Sequence, residues 1–597
     1  MTASESLPGK ISLDLNGGAD RTTIALHFYV FFLSPVGFYY FPGFTLIAGF
    51  LLVAFLCLKN TGRSLSQLDF FFWLWFGVLL LASYFSVNPV NSIFFCAKIL
   101  FLYLLSLTCH KYECRHETIL LFFLLSLVFI AGDSLFLWLE GIENPLAWND
   151  ARYSGGIFRI QGTFNNPNIL AAYIICGYGF CLLKPERVLS KILAVLQTVL
   201  LCLTYSRGAL LAVLPCLVLF ACCIPEKRKF ALLLLVGLLS ITIFSGLLGR
   251  VYAGTQKGER GINQRLGYFY CAFRAFCRSP VTGFGPTTFA EIYPEFRRQS
   301  GSYTLYAHNE ILQQLCEVGF LGPLVFLAGL FFLLKLYKEG NFHDSFFQAV
   351  LLGQSALLLH SFVSFSFRIY PITVIAFYFF GCQCANLPAI LPGKILRRVL
   401  LFPITLFILC QLAENYSLEK FAIAARKGQL TATLARKYQS LIPWNLSLIV
   451  NNPFESMKKL HELRTRYPHQ IPITRAIVKR LLKNESYKKA VPLIEDALKW
   501  DPHNEELRYF LAICQLQLKE HDAALKNMLF FHRHIGRDYL HIQPYNLLLY
   551  KLMLNFLPLV IEKENEVKAR GFLLQKFEEC KKNLILIQTQ QKFRKNK

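Results

Sequence analysis

The sequence predicts an all-α protein, a polytopic helical membrane region of about 12 to 13 spans followed by a soluble helical-repeat domain. Three observations carry that expectation. The 597 residues are 54% hydrophobic and only 17% charged, and the apolar residues come in long blocks rather than at helix or strand spacing. Lys and Arg gather in alternate loops between those blocks. Past Ala413 the chain turns charged and helix-forming.

Taken in order, the blocks read as spans. Stretches such as 70–85 and 231–248 are apolar all round, which suits lipid, whereas a soluble helix shows one apolar stripe. Lipid offers backbone polar groups no partner, so spans are helices or a closed barrel, and blocks of about 17 to 22 residues fit helices. Thirteen candidate spans result: 24–40, 43–58, 68–85, 91–109, 118–139, 168–183, 189–205, 208–224, 230–248, 312–336, 346–366, 371–387 and 399–413. Lys59 and Arg63, Lys111 and Arg115, Lys184, Arg187 and Lys191, Lys227 to Lys229, Lys335 and Lys338, and Lys394 to Arg398 then share one side. The positive-inside rule makes that side cytoplasmic. Residues 1–23 become a cytoplasmic tail without a signal-peptide core, 24–413 the membrane domain, and the odd span count puts the C-terminus outside a bacterial inner membrane.

Two outward loops interrupt the rhythm, 140–167 and the long, polar 249–311. Long ordered loops usually carry function. Residues 414–597 are expected to form a periplasmic domain with an internal repeat: 453–468 recurs as 487–502, and Tyr487-Lys-Lys-Ala490 as His521-Asp-Ala-Ala524, both at an offset of 34 residues. That is the tetratricopeptide period, and Ala497-Leu-Lys-Trp-Asp-Pro-His-Asn504 resembles the end of one such repeat; an ordinary helical bundle is the alternative.

Composition also excludes classes. The net charge of +25 is scattered over short loops and the C-terminal third, so it marks membrane topology rather than nucleic acid. Most of the 18 cysteines fall inside spans, as Cys202, Cys222 and Cys223 do, where Cys is a small hydrophobe and no disulfide framework is implied. Cys109, His110, Cys114 and His116 have ligand chemistry but irregular spacing, so no metal site is expected. His532 and His534 read as surface residues, and no Gly-rich phosphate loop or other cofactor signature is present.

The exceptions to charge sorting point to chemistry. Arg152, Arg159, Arg207, Arg265 and Arg368 lie on the outer side, and Lys98 and Asp133 lie within spans near their outer ends. Each could snorkel to headgroups, yet intramembrane charge is costly and marks function by default. Arg207 sits in Thr204-Tyr-Ser-Arg-Gly-Ala209 between two apolar blocks with almost no loop. Converging guanidiniums suit a membrane-embedded phosphate such as a lipid-linked diphosphate.

Four motifs then resemble the O-antigen ligase and polymerase superfamily. They are Gly162-Thr-Phe-Asn-Asn-Pro-Asn-Ile-Leu-Ala171, the Arg207 motif, Arg265 followed by Pro280-Val-Thr-Gly-Phe-Gly-Pro286, and Ala307-His-Asn-Glu-Ile-Leu-Gln-Gln-Leu-Cys-Glu-Val-Gly-Phe-Leu-Gly322. Asn165 stands where the family usually has Gly, and Phe269 where it usually has Trp. The resemblance implies a metal-independent inverting transferase that moves a glycan from undecaprenyl diphosphate to a hydroxyl acceptor, lipid A-core or protein. His308 is then the candidate base, with Arg207 and Arg265 stabilising the leaving diphosphate. Lys98, Arg159, Asn166, Asn168, Asn309, Glu317 and Arg368 are candidate substrate-binding residues. Asn309 and Glu310 also suit a helix start. Glu317 is set to orient His308 or to meet a cation. A polymerase that lengthens glycan on the lipid carrier fits the same motifs. A flippase or transporter would also be polytopic, but it should place its charges near the midplane. The helical domain favours a large acceptor or a protein partner.

Overall fold

The computed structural model of the chain describes residues 21–59, 62–109, 116–139, 159–244, 260–297, 304–339, 345–385, 387–441, 445–468, 470–524 and 526–527. The tail 1–20, His110, Cys114, Arg152 and the His532 and His534 pair lie outside them. Among the described residues regular structure is helical, and a single bridge joins Leu65 to Leu391. The chain divides into two compact units, one of 1–269, 279–287 and 306–415, the other of 270–278, 288–305 and 416–597.

The first unit is a multi-pass membrane bundle. Helix α1 (Arg21–Phe28) runs through a π-turn (Tyr29–Leu33) into α2 (Ser34–Tyr40), followed by α3 (Pro42–Leu58), α4 (Gln67–Tyr84), α5 (Pro89–Leu107) and α6 (His116–Leu139). Next come α7 (Pro167–Cys176), α8 (Tyr178–Cys181), α9 (Val188–Leu203), α10 (Arg207–Cys223), α11 (Arg228–Phe244) and α12 (Arg260–Arg278), whose last turns belong to the second unit. Helix α13 (Phe289–Phe296) lies in the second unit, and the first resumes with α14 (Glu310–Val318), α15 (Leu321–Glu339), α16 (Ser345–Ser361), α17 (Tyr370–Ala385) and the 33-residue α18 (Lys394–Arg426). By length and apolarity α4, α5, Glu117–Phe136 and α18 can each cross a bilayer, and the remaining apolar helices are shorter. Helix α10 meets Pro225–Ser240 at a 117° bend.

Two elements differ from expectation. The candidate span 312–336 is broken into α14 and α15, because Gly319 takes φ +74° and the Phe320 N–H leaves the helix ladder for Pro280 O at 2.9 Å. Helix α18 runs on well past residue 413. Many polar groups inside the bundle are met by one another, as lipid favours. At the π-turn, whose wider ladder disturbs ordinary pairing, the Tyr173 hydroxyl donates to Phe31 O at 2.9 Å. Several residues counted as loop charges are buried and used as ties. Arg63 grips both carboxylate oxygens of Asp69 at 2.8 Å, and Arg397 donates to Arg63 O at 2.8 Å. Lys227 donates to Gln348 at 3.3 Å.

The second unit is helical: α19 (Ala432–Leu441), α20 (Leu446–Asn451), α21 (Met457–Arg466), α22 (Ile471–Lys483), α23 (Tyr487–Trp500) and α24 (Glu505–Gln517). Helices α23 and α24 pack through Ala490, Ile494 and Ala497 against Leu507 and Cys514. Between them Asp501 accepts from Asn504 at 2.9 Å, and Asn504 caps α24 through Leu507 N. Segments of the long loop belong to this unit. Arg297 pairs with Asp501 at 3.0 Å, Gln470 donates to Glu291, and the Arg278 guanidinium lies 5.8 Å over Trp500.

Candidate functional site

His308 sits in a turn whose every bond has a local cause. It takes φ +58°, and the next residue, Asn309, caps α14 by accepting from Leu312 N at 3.0 Å. Gln313, one turn into the helix, accepts the Ala307 N–H at 2.6 Å and donates to Glu317 at 2.6 Å. Glu317 is fully buried and takes Arg368 at 3.0 Å, while Arg368 also holds Glu310 at 3.0 Å. Gln313 thus links Glu317 to the backbone of the residue before His308. The ring of His308 stacks on Tyr268 at 5.4 Å and meets the edge of Phe365 at 4.8 Å. Burial, and after it the nearby Arg265 guanidinium, push the imidazole down to about 3. The ring is neutral at physiological pH and keeps a lone pair able to accept a proton.

The third motif supports this helix from its other end. The N–H groups of Phe284 and Gly285 donate to the carbonyls of Cys316 at 3.0 Å and Glu317 at 2.8 Å, oxygens that a helix end leaves without partners. Gly283 has φ +64°, and a side chain there would start 2.3 Å from the Glu317 carbonyl carbon. The motif is a cap for α14, tied to α5 by Ser92 Oγ on Pro286 O at 2.8 Å.

Arg207 is the first residue of α10, after a turn in which Tyr205 takes φ +50°. Arg159 binds this turn to the first motif: it donates to Thr204 O at 2.8 Å and to Asn168 Oδ1 at 3.1 Å. Asn166 caps α7, accepting from Asn168 N at 2.9 Å. Asn165 takes φ +54°, the left-handed region in which Asn is the tolerated substitute for Gly. Lys98 lies with its ammonium 5.4 Å over the Tyr370 ring, and one turn earlier on α5 Phe95 lies under the Arg368 guanidinium at 5.6 Å. A cavity of about 230 Å³, lined mainly by apolar side chains including Phe72, Trp75 and Phe377, reaches Glu310, Glu317 and Arg368.

These features can be set beside known proteins. Residues 192–327 match the O-antigen ligase family. Residues 481–526 match a tetratricopeptide repeat. No curated protein and no solved structure matches the chain. The match supports a function of the O-antigen ligase or polymerase type.

Within residues 192–327 the structure brings Arg265 close enough to His308 for its charge to act on the ring. Beyond residue 327, the end of α16 and the segment after it supply residues that sequence reasoning missed. Phe365 walls His308, Tyr306 stacks on Phe365 at 4.7 Å, and Phe362 O accepts from Asn309 at 3.0 Å. His360, in the last turn of α16, is buried and close enough to Arg265 to feel its charge. Only a helical position beside Arg368 could have hinted at this, since apolar surroundings disguise His360 and Phe365 as ordinary span residues.

Proposed function

We propose that the protein transfers an oligo- or polysaccharide from undecaprenyl diphosphate to a hydroxyl of lipid A-core or a protein, on the periplasmic face of the inner membrane. The observation that supports this reading is a half-buried neutral His308 within reach of the Arg265 charge, in a segment that matches the O-antigen ligase family. His308 accepts the proton of the acceptor hydroxyl as its oxygen attacks the anomeric carbon. The bond from that carbon to the diphosphate oxygen breaks, and the electron pair leaves on the diphosphate. Arg207 and Arg265 stabilise the growing charge, which in a water-poor site is worth more than the same contact in water. A single displacement inverts the anomeric centre. Preplaced guanidiniums supply the neutralisation that a divalent metal gives elsewhere, so the reaction proceeds without metal.

The anionic donor also prepares the base. A bound diphosphate offsets the Arg265 charge and so raises the His308 affinity for a proton. Arg159, Asn166 and Asn168 hold the Arg207 turn, Asn309 and Glu317 hold the His308 turn, and Arg368 anchors Glu317. Lys98 adds positive charge near Arg368, and the apolar cavity offers room for part of the carrier tail. The test uses purified protein with undecaprenyl-diphosphate glycan, EDTA, no nucleotide, and lipid A-core or protein acceptor in separate reactions. Mass gain on an acceptor supports the ligase. Glycan lengthened on the carrier replaces it with the polymerase, and transport without covalent product refutes both.

A further inference from the structure

Helix α12 shows its large apolar side chains to the outside. Its packed side is formed by Tyr268, Cys271, Ala272 and Ala275, whereas Leu266, Tyr270 and Phe273 are 56%, 43% and 51% exposed, and Cys277 is exposed with them. Together with the half-buried Phe269 and Phe276, these residues fill an arc of about 120° at 3.6 residues per turn. An ordinary surface helix does the reverse, turning its apolar stripe inward and its polar residues to water. A contiguous exposed apolar face marks a surface that something covers.

Two anchors place this helix. Near its start the Tyr268 ring stacks on His308 at 5.4 Å, just before α14. Just past its end Pro280 O accepts the Phe320 N–H at 2.9 Å, just after α14. From Tyr268 to Arg278 a helix rises about 15 Å, and the 9-residue α14 rises about 14 Å, so α12 bridges the same two points that α14 joins. At the second point the apolar face continues. Val281 is exposed, and so are Phe320, Leu324, Leu327 and Phe331, at helix spacing along the start of α15, the face that an apolar helix of a membrane bundle turns to lipid. The edge of the α12 face carries charge, since Arg274 follows Phe273, is exposed and makes no ion pair among the described residues. Leu, Tyr and Phe on one face with an arginine at its rim suit a helix that lies in the headgroup boundary.

We infer that α12 is an interfacial helix: Leu266, Tyr270 and Phe273 dip into the acyl-chain boundary of the membrane on the His308 side, and Arg274 takes a lipid phosphate. This surface goes beyond the transfer reaction proposed above and does not rest on it. Because Arg265 immediately precedes Leu266, the seating of the helix fixes the depth of that guanidinium in the membrane surface.

The test places a photoreactive benzophenone side chain at position 273 of the full chain, reconstituted into vesicles of equimolar phosphatidylglycerol and phosphatidylcholine. Leu324 serves as the lipid-facing control position and Lys499 as the water-facing one. All three positions are exposed, so the substitutions leave the fold intact. After illumination, mass spectrometry should find phospholipid adducts at 273 in a yield near that at 324 and well above that at 499. Phosphatidylglycerol should exceed phosphatidylcholine among the adducts at 273 by about fivefold, the effect of one cation at an anionic surface. Arg274→Gln should bring that ratio back near unity. A lipid yield at 273 no higher than at 499 overturns the inference. So do cross-links to a second copy or to another segment of the chain in place of lipid, which make the face a protein interface. Equal lipid ratios in wild type and Arg274→Gln overturn the phosphate contact. No glycan is present in the vesicles, so the outcome is independent of whether the wild type transfers sugar.

Discussion

A histidine packed between Tyr268 and Phe365 beside a guanidinium has its protonation set by its surroundings rather than by its ordinary pKa near 6.5. Two expectations follow from its value of about 3. The free enzyme's kcat/KM should show no acidic limb from His308 between about pH 5 and about pH 8, the range in which an unperturbed histidine titrates. A limb near the ordinary histidine value, absent in no other way from the profile, would mean that the ring is exposed. Stability has the matching sign: the unfolded chain takes up a proton that the native ring refuses, so the contribution is complete above about 6.5 and is lost progressively as pH falls toward the folded value. The melting temperature should therefore fall less on acidification in His308→Gln than in wild type. His308→Ala and Arg207→Ala should each abolish transfer while the protein remains folded in detergent; full activity in both removes the assigned roles. Arg207 stood out as a charge between apolar blocks, and Arg265 and His308 were candidates through the resemblance of their motifs. His360, Phe365 and Tyr268 were not, because in a membrane chain an aromatic or a single His near a helix end looks the same whether it packs against lipid or against a base.

Helices were legible from apolar blocks because backbone hydrogen bonding in lipid leaves few alternatives. The break at Gly319 was not, since hydropathy sums register composition and not a positive φ. That break lets α14 end where the glycine motif can cap it, so the cap and the His308 turn are two ends of one short helix. Gly283→Ala places a methyl 2.3 Å from the Glu317 carbonyl carbon at φ +64°. Its transfer rate should drop more than its melting temperature, because the displaced carbonyl belongs to the residue that holds Arg368 and Gln313. Equal rates in wild type and variant would show that α14 does not set the position of His308. At the opposite side of the bundle the Arg63–Asp69 pair is almost wholly buried. Asp69→Asn should destabilise by roughly 3 to 5 kcal/mol, the usual cost of stranding one partner of a buried pair, measured by thermal unfolding in detergent. A loss near zero would mean that water reaches Arg63.

Across the whole molecule, the long loop is shared. Between Arg265 and His308 the chain leaves the membrane unit at 270, returns at 279, leaves again at 288 and returns at 306. Sequence reading assigned all of 249–311 to the membrane domain, because polarity and position along the chain say nothing about which partner a loop packs on. The decisive residues are Arg297 and Asp501, both largely buried, whose ion pair at 3.0 Å ties the loop segment of the second unit to the turn between α23 and α24. Asp501 also orders that turn by accepting from Asn504. The loop segments that this unit holds are covalently continuous with Arg265 and His308. Arg297→Ala and Asp501→Asn should each lower kcat, and in a double-mutant cycle they should couple by about 0.5 to 3 kcal/mol, the range for residues in direct contact. Limited proteolysis should cut the loop faster in each variant. Additive effects with wild-type proteolysis would show that the pair neither orders the loop nor bears on transfer.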